Sequence, residues 1–315
     1  MFRIGVDLGG TNIAVGVVSE DLKIVGRGSV KTNCPRPADE IFDDIAKAVQ
    51  MAMDDAGVTK EDIISIGVGT PGTVNKSNGF IEFANNLGFK QVPAKDMLEA
   101  RVNIPCYIDN DANCAALGEA VAGVGNGSKN FVAVTLGTGV GSGIIIDGKI
   151  ITGENYAAGE MGHMVICLDG EQCNCGRRGC WEQYASATAL IRQTKDAMKH
   201  HYDSVMWKLV EDNIENVNGR TAFDAMRMND PTGKEVVDRY VYYVAAGLIN
   251  IINALQPEFI CLGGGVANEK ETLLVPVRAH VYRERYSHYS TIQTEIVSAK
   301  LGNDAGIFGA ALLDE

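Results

Sequence analysis

"IGVDLGGTNIAVGVV", residues Ile4 to Val18, holds two apolar runs separated by Gly9-Gly10-Thr11. Runs of this kind on either side of a glycine pair read as two strands joined by a tight turn. "VAVTLGTGVGSGIII", Val132 to Ile146, repeats the plan: apolar strand, glycine turn with threonine, apolar strand. The echo predicts two related βαβ-type halves facing each other, with a domain boundary near Asp111.

Working outward, "IVGRGSV" extends the first pair as a third strand. From Asp39 to Ala56, apolar residues recur at Ile41, Phe42, Ile45, Ala48, Val49, Ala52, Met53 and Ala56, which is helical spacing, and Gly57 stops the helix. "IISIGVG" is a strand running into Thr70-Pro71-Gly72, and "CYID" is another that ends at Asp109-Asn110-Asp111. A small-residue helix follows through Ala112, Ala115, Ala116 and Ala120. Asp147-Gly148 signals a hairpin turn after the second echo. Tyr184 to Leu255 reads as mostly helical, with Pro231 placed to open a long helix. "EFICL" is a short buried strand ending in Gly263-Gly264-Gly265, "IQTEIVSA" is a late strand, and Asn303 to Leu313 reads as a capped terminal helix.

At 315 residues and 46% hydrophobic composition, the chain has material for two domains or one large one. A net charge of −12 argues against a nucleic-acid or anionic-membrane surface, and the pairs Arg177-Arg178 and Arg283/Arg285 are too small to make one locally. "MFRIGVDLGG" enters an apolar strand at once, so no signal peptide is expected. The longest apolar run, Val236 to Leu255, is broken by Asp238, Arg239, Asn250 and Asn253, so no membrane span is expected either. The balance points to a cytoplasmic protein.

Three apolar strands end in glycine turns: Gly9-Gly10-Thr11, Gly137-Thr138-Gly139 and Gly263-Gly264-Gly265. Glycine lets backbone N–H groups approach an anion, and threonine adds a hydroxyl, so facing hairpins of this kind suit a polyphosphate. A dinucleotide fingerprint is excluded because "GTGVGSG" runs into a strand rather than a helix, and no phosphate-binding G-x-x-x-x-G-K-[ST] occurs. Asp7, ahead of the first turn, reads either as a turn-capping carboxylate or as an acid near a magnesium–phosphate group, acting through water. Asp111 reads either as a helix N-cap or as a carboxylate at the carboxyl end of a strand, placed to take a proton from a substrate hydroxyl.

Cys34, Cys106, Cys114 and Cys261 are isolated and read as buried thiols, whereas Cys167, Cys173, Cys175 and Cys180 cluster. "CNCGRRGCWE", Cys173 to Glu182, is open to a disulfide, redox or metal reading, and metal is favoured in a cytosolic chain. "GEMGHM" brings Glu160 and His163 three residues apart, and His163, ten before the cluster, is a candidate fourth ligand.

Together "GVDLGGTNI", "GVGTPG", "IDNDANCAALGE", "TLGTGVGSGII", "AAGEMGH", "CNCGRRGCWE", "LGGGV" and "LGNDAGIFGAALL" resemble the ROK sugar kinases, and within them the bacterial ATP-dependent glucokinases, over nearly the whole chain. The resemblance implies an actin/hexokinase-like (ribonuclease H-like) α/β fold of two domains with an interdomain cleft: residues 1–110 plus 304–315, and residues 111–303 with a zinc-binding loop. It implies ATP with Mg²⁺ on Asp7, Gly9, Gly10, Thr11, Asn12, Gly137, Thr138, Gly139 and Gly264. It implies Asp111 as catalytic base, and Gly72, Asn110, Asp111, Glu160, His163 and Glu182 around the sugar. His163, Cys173, Cys175 and Cys180 are the implied structural zinc set, with Cys167 left out. The implied assembly is a homodimer or homotetramer.

One position departs from the family pattern: Phe89, in "NNLGFK", stands where a Trp is common. The resemblance implies phosphorylation of glucose at the 6-hydroxyl, and the Phe89 departure bears on the choice of sugar rather than on kinase activity. Fructose, mannose, N-acetylmannosamine and allose are rival acceptors, and polyphosphate is a rival donor. A sugar-sensing regulator is the alternative from another class. The helix-turn-helix of the family's repressors is not expected, since Met1 stands three residues before the first apolar strand.

Overall fold

The computed structural model describes residues 1–314. Its strands are β1 (Phe2–Leu8), β2 (Asn12–Ser19), β3 (Ile24–Lys31), β4 (Ile63–Thr70), β5 (Thr73–Asn75), β6 (Phe80–Ala84), β7 (Phe89–Val92), β8 (Cys106–Asn110), β9 (Phe131–Leu136), β10 (Val140–Ile146), β11 (Lys149–Ile150), β12 (Phe259–Gly263) and β13 (Glu295–Ser298). Its helices are α1 (Ala38–Ala56), α2 (Ala94–Val102), α3 (Asp111–Val121), α4 (Glu182–Ala185), α5 (Ala187–His200), α6 (Val205–Leu209), α7 (Thr221–Arg227), α8 (Pro231–Leu255), α9 (Glu271–Glu284) and α10 (Ala305–Ala311).

The echo in the sequence becomes a repeated sheet. One sheet runs β3-β2-β1-β4-β8 and the other β11-β10-β9-β12-β13, the same order of hairpin, centre and crossover strands. In the first, β2 lies antiparallel to β1 and β4 parallel to it. In the second, β11 is antiparallel to β10 and β13 parallel to β12. This is the α/β plan expected of the actin/hexokinase-like fold. A small third sheet, β5-β6-β7, follows the Thr70-Pro71-Gly72 turn.

Local signals set most element ends. α1 buries Ile41, Phe42, Ile45, Ala48, Val49, Ala52 and Met53 and stops at Gly57, whose φ of 66° is left-handed. Asp147 and Gly148 both have positive φ, as a two-residue hairpin turn requires, although β11 is only two residues long. Asp230 caps α8 by accepting a hydrogen bond from Gly233, and Pro231 takes the first helical position. The late strand and the terminal helix are shorter than the sequence suggested. The third glycine turn leads into a 3₁₀ turn at Gly265–Glu269.

By contacts the chain separates into two units: residues 1–133, 143–159 and Ala299 onward, and residues 134–142 and 160–298. This groups α3 with the first unit, whereas the boundary read from the sequence falls at Asp111. The reason is close backbone packing against α10. A Cβ on Gly309 would lie 1.7 Å from the Cys114 carbonyl oxygen, and one on Gly118 would lie 2.1 Å from that of Ala305. On its other side α10 meets the sheet just as closely, with Gly67 against Ala310 and Gly5 against Ile307. The buried Glu119 completes the attachment, its Oε1 accepting hydrogen bonds from Lys300 N at 2.9 Å and Leu301 N at 2.7 Å.

Helix backbones held this close leave no room for a methyl group. Gly309→Ala is expected to destabilise the protein by on the order of 3 kcal/mol in denaturant titration. Gly219→Ala, where a Cβ meets nothing within 4 Å, is expected to change stability by less than about 0.5 kcal/mol.

Candidate active site and metal cluster

In the first unit, β1, β4 and β8 align Asp7, Gly69 and Asp109 across the sheet. β8 passes directly into α3, and the capping residue is Asn110, not Asp111. Asn110 is extended (φ −66°, ψ 145°), and its Oδ1 accepts hydrogen bonds from Ala112 N at 2.8 Å and Asn113 N at 3.3 Å. Its Nδ2 donates to the Gly72 carbonyl at 3.0 Å, so one amide joins the helix start to the Pro71-Gly72 turn. Gly72 has φ 96°, and a Cβ there would lie 2.1 Å from the Phe83 carbonyl oxygen.

Asp111 is the first residue of α3, with Oδ1 accepting from Ala112 N at 2.8 Å. Burial raises its pKa, opposed by the hydrogen bonds from Ala112, its own N–H and Asn110. Asp7 is pushed up to about 6, first by burial and then by the charge of Asp111. Gly306 leaves space beside Asp7, a Cβ there falling 3.3 Å from its carboxyl carbon.

The first glycine turn is held by its carbonyls. Thr32, fully buried, donates its hydroxyl to the Gly9 carbonyl at 2.6 Å, and its N–H reaches the Thr11 carbonyl at 3.0 Å. Gly9 N–H closes onto Asn12 O at 2.9 Å. The N–H groups of Gly10 and Thr11 have no acceptor among the described residues. Asn12 opens β2 beside Lys31 and is exposed. Thr32 escaped the sequence reading because nothing near it marks a site.

The second unit treats its glycine turn in the same way. Gly137 N–H closes onto Gly139 O at 3.0 Å, Ala187 N donates to Gly137 O at 2.8 Å, and the Thr188 hydroxyl donates to Thr138 O at 2.8 Å. The N–H groups of Thr138 and Gly139 have no acceptor among the described residues. Gly264, with φ 84°, lies over the backbone of Leu136 at the root of this turn.

The next peptide, at Val140, is gripped from two sides. Its N–H donates to Glu182 Oε2 at 3.0 Å, and its carbonyl receives the bare backbone of Gly162, where a Cβ would lie 2.2 Å from the oxygen. Gly139 admits the Glu182 carboxylate, since a Cβ there would stand 2.2 Å from Oε2. Glu160 starts a single 3₁₀ turn, its carbonyl accepting from His163 N at 3.1 Å, and Met161 N binds the Ser142 hydroxyl at 3.2 Å.

His163, Cys173, Cys175 and Cys180 converge, with their ligand atoms all within 4.8 Å of one another. Cys175 Sγ and Cys180 Sγ are 3.6 Å apart, and Cys173 Sγ is 3.6 Å from His163 Nδ1. A disulfide needs about 2.05 Å between sulfurs. A zinc ion with Zn–S bonds near 2.3 Å places them about 3.8 Å apart at tetrahedral angles. The donor set therefore fits zinc and not a disulfide. Cys167 stays outside the cluster and is exposed. The loop is fastened by Trp181, which is fully buried and donates Nε1–H to Tyr243 O at 2.8 Å, and by the Tyr184 hydroxyl, which accepts from Glu171 N at 2.7 Å. Neither aromatic was singled out by its sequence context.

Phe89, the departure from the family pattern noted in the sequence, packs within the first unit. It is buried in the core and stacks on Phe42 with ring centroids 6.4 Å apart. Its difference from the family pattern is a packing difference.

The raised pKa of Asp7 carries a stability consequence. Between the unfolded value of 3.8 and about 6 the folded state holds the extra proton, so stability falls as pH rises through that window, by roughly 3 kcal/mol in total. Asp7→Asn is expected to melt above the wild type at pH 8. The gap should shrink as pH falls through about 6 and close near pH 4, as followed by calorimetry.

The glucokinase of Halalkalibacterium halodurans is 39% identical to this chain over 312 residues, covering 98% of this chain and 94% of the relative. That of Streptomyces coelicolor is 36% identical over 310 residues, covering 98% and 96%. Among solved structures, a ROK family glucokinase from Streptomyces griseus in complex with glucose and AMPPNP superposes with a TM-score of 0.80 at 36% identity, over 99% of each chain. The ROK hexokinase from Thermus thermophilus gives 0.82 at 31% identity, over 99% of this chain and 97% of that one. The ROK family model matches residues 3–315. With the fold, the glycine turns and the histidine–cysteine cluster in agreement, this chain belongs to the ROK family.

Proposed function

We propose that this protein is an ATP-dependent glucokinase, transferring the γ-phosphoryl group of ATP to the 6-hydroxyl of glucose. The observation that carries the reading is Asp111: a carboxylate at the first position of α3, with its pKa raised by burial, beside an asparagine whose amide is already fixed. The likeness to glucokinases, one of them solved with glucose and AMPPNP, supports the choice of sugar and donor.

In this reading Asp111 receives the proton of the 6-hydroxyl as that oxygen attacks the γ-phosphorus, and ADP leaves. Phosphoryl transfer depends mainly on positioning and charge stabilisation, so the base takes the proton late. The N–H groups of Gly10, Thr11, Thr138 and Gly139 are the donors for the phosphate oxygens, left without an acceptor among the described residues while the carbonyls of both turns are engaged. Asp7 sits at the end of β1 where the Mg²⁺ that accompanies ATP would be met through water; that ion would neutralise phosphate charge. Asn110, Glu160, His163 and Glu182, with the Gly72 turn, hydrogen-bond the ring hydroxyls. Polar partners of this kind, once a bound sugar covers them, discriminate strongly against sugars lacking the matching hydroxyl.

Zinc, held by His163 and the three thiolates, would occupy a closed site and organise the loop rather than take part in transfer. His163 faces the thiolates through Nδ1, which leaves Nε2 for a sugar hydroxyl, with the ring's orientation set by the metal. Glu182 follows Cys180 by two residues and inherits the same fixation.

Asp111→Asn is expected to bind glucose about as well as the wild type in calorimetry while turnover falls by on the order of 10³-fold. Near-normal turnover would remove the base assignment. An ADP-release assay over glucose, fructose, mannose, N-acetylmannosamine and allose, with ATP or polyphosphate as donor, tests the substrate. Glucose with ATP is expected to give the highest kcat/KM. Elemental analysis of purified protein is expected to find one zinc per chain, and stripping it is expected to lower the melting temperature and the activity together.

A further inference from the structure

We propose that Lys76 is a positioning residue for phosphoryl transfer, acting on Asp111 through Asp109; this rests on the reading of Asp111 as the base. Asp109 is 1% exposed, an unusual setting for a carboxylate. Its Oδ1 accepts hydrogen bonds from Asn110 N at 2.7 Å and from Asn113 Nδ2 at 3.0 Å, so it holds the start of α3 from beneath. Its Oδ2 has no hydrogen-bond donor with good geometry but stands 2.6 Å from Lys76 Nζ. Among the described residues, the cation paired with this buried carboxylate therefore comes from the turn between β5 and β6.

That turn is built to hold its lysine still. Asn75 Oδ1 accepts from Ser77 N at 3.1 Å and the Ser77 hydroxyl at 2.6 Å, Gly79 N donates to Asn75 O at 2.8 Å, and Phe80 N donates to Asn78 Oδ1 at 3.0 Å. The Lys76 side chain is 34% exposed and reaches inward to Asp109. The chain of contacts is continuous: Lys76 to Asp109, Asp109 to the Asn110 N–H and the Asn113 amide, and Asn110 to the N-terminal turn that carries Asp111. Replacing Lys76 with a neutral residue strands a buried charge directly under that turn. The start of α3 must then shift or admit water, and the base leaves its transfer geometry. Small displacements of this kind affect turnover more than binding.

The test is a double-mutant cycle on the full-length protein with Lys76→Met, Asp109→Asn and the two combined, plus Lys76→Arg. Lys76→Met is expected to lower kcat at least tenfold, with KM for ATP within twofold of wild type. Lys76→Arg is expected to restore kcat to within about threefold, because a guanidinium also meets a carboxylate at this distance. The double variant has no stranded charge and provides a folded reference if Lys76→Met melts early. It is expected to be no slower than Asp109→Asn alone.

Losses that multiply in the double variant would mean that Lys76 acts on substrate independently of Asp109, and would overturn the proposal. So would a Lys76→Met kcat within twofold of wild type. The wild-type rate with glucose reports separately on the proposed function, since the cycle is measured on whichever hexose the wild type turns over.

Discussion

The packing of one short helix directly on backbone underlies much of the first unit. α10 meets β1 and β4 through Gly5 and Gly67, and α3 through Gly118 and Gly309, at distances that exclude even a methyl group. Because these contacts are backbone to backbone, they leave little freedom for sliding or rotation. They set the start of α3 relative to the ends of β1 and β8. Asp7 and Asp111 are thereby brought close enough for the charge of one to raise the pKa of the other.

The two glycine turns solve one problem twice. A turn proposed to bind phosphate must keep its N–H groups available while remaining rigid. Here rigidity comes through the carbonyls: Thr32 holds those of Gly9 and Thr11, and the start of α5 holds those of Gly137 and Thr138. Donors are left over because acceptors do the fastening. Glu182 adds a link in the second unit, since the same residue proposed to bind sugar also accepts the Val140 N–H next to the turn. The histidine–cysteine loop, through Glu182 on one side and Gly162 on the other, thus sets the position of Val140.

Much of this architecture was legible in the sequence. The paired echo at Ile4–Val18 and Val132–Ile146 appears as two sheets of identical order, because an apolar run broken by a glycine turn has few ways to fold except as a hairpin. The cysteine spacing was equally informative, since the three cysteines converge with His163, their donor atoms all within 4.8 Å of one another. What escaped were residues with ordinary contexts. Thr32 looks like any strand-end threonine, and Trp181 like any core aromatic. Lys76 looks like any turn lysine, and becomes distinctive only because Asp109 is buried beneath α3. Phe89 was misleading for the converse reason: a local difference from the family pattern carries no sign of whether it faces a ligand or the core.

By itself, then, the sequence determined the hairpins, the helix ends marked by Gly57 and Pro231, the excluded nucleotide motifs and the four members of the histidine–cysteine cluster. Each follows from interactions among near neighbours in the chain. Only the tertiary structure decided that Asn110 caps α3 and Asp111 follows it, that α3 belongs with the terminal helix, and that Glu182 reaches Val140. Those outcomes depend on which distant backbones pack without an intervening side chain and on which carboxylates lose water as they do so.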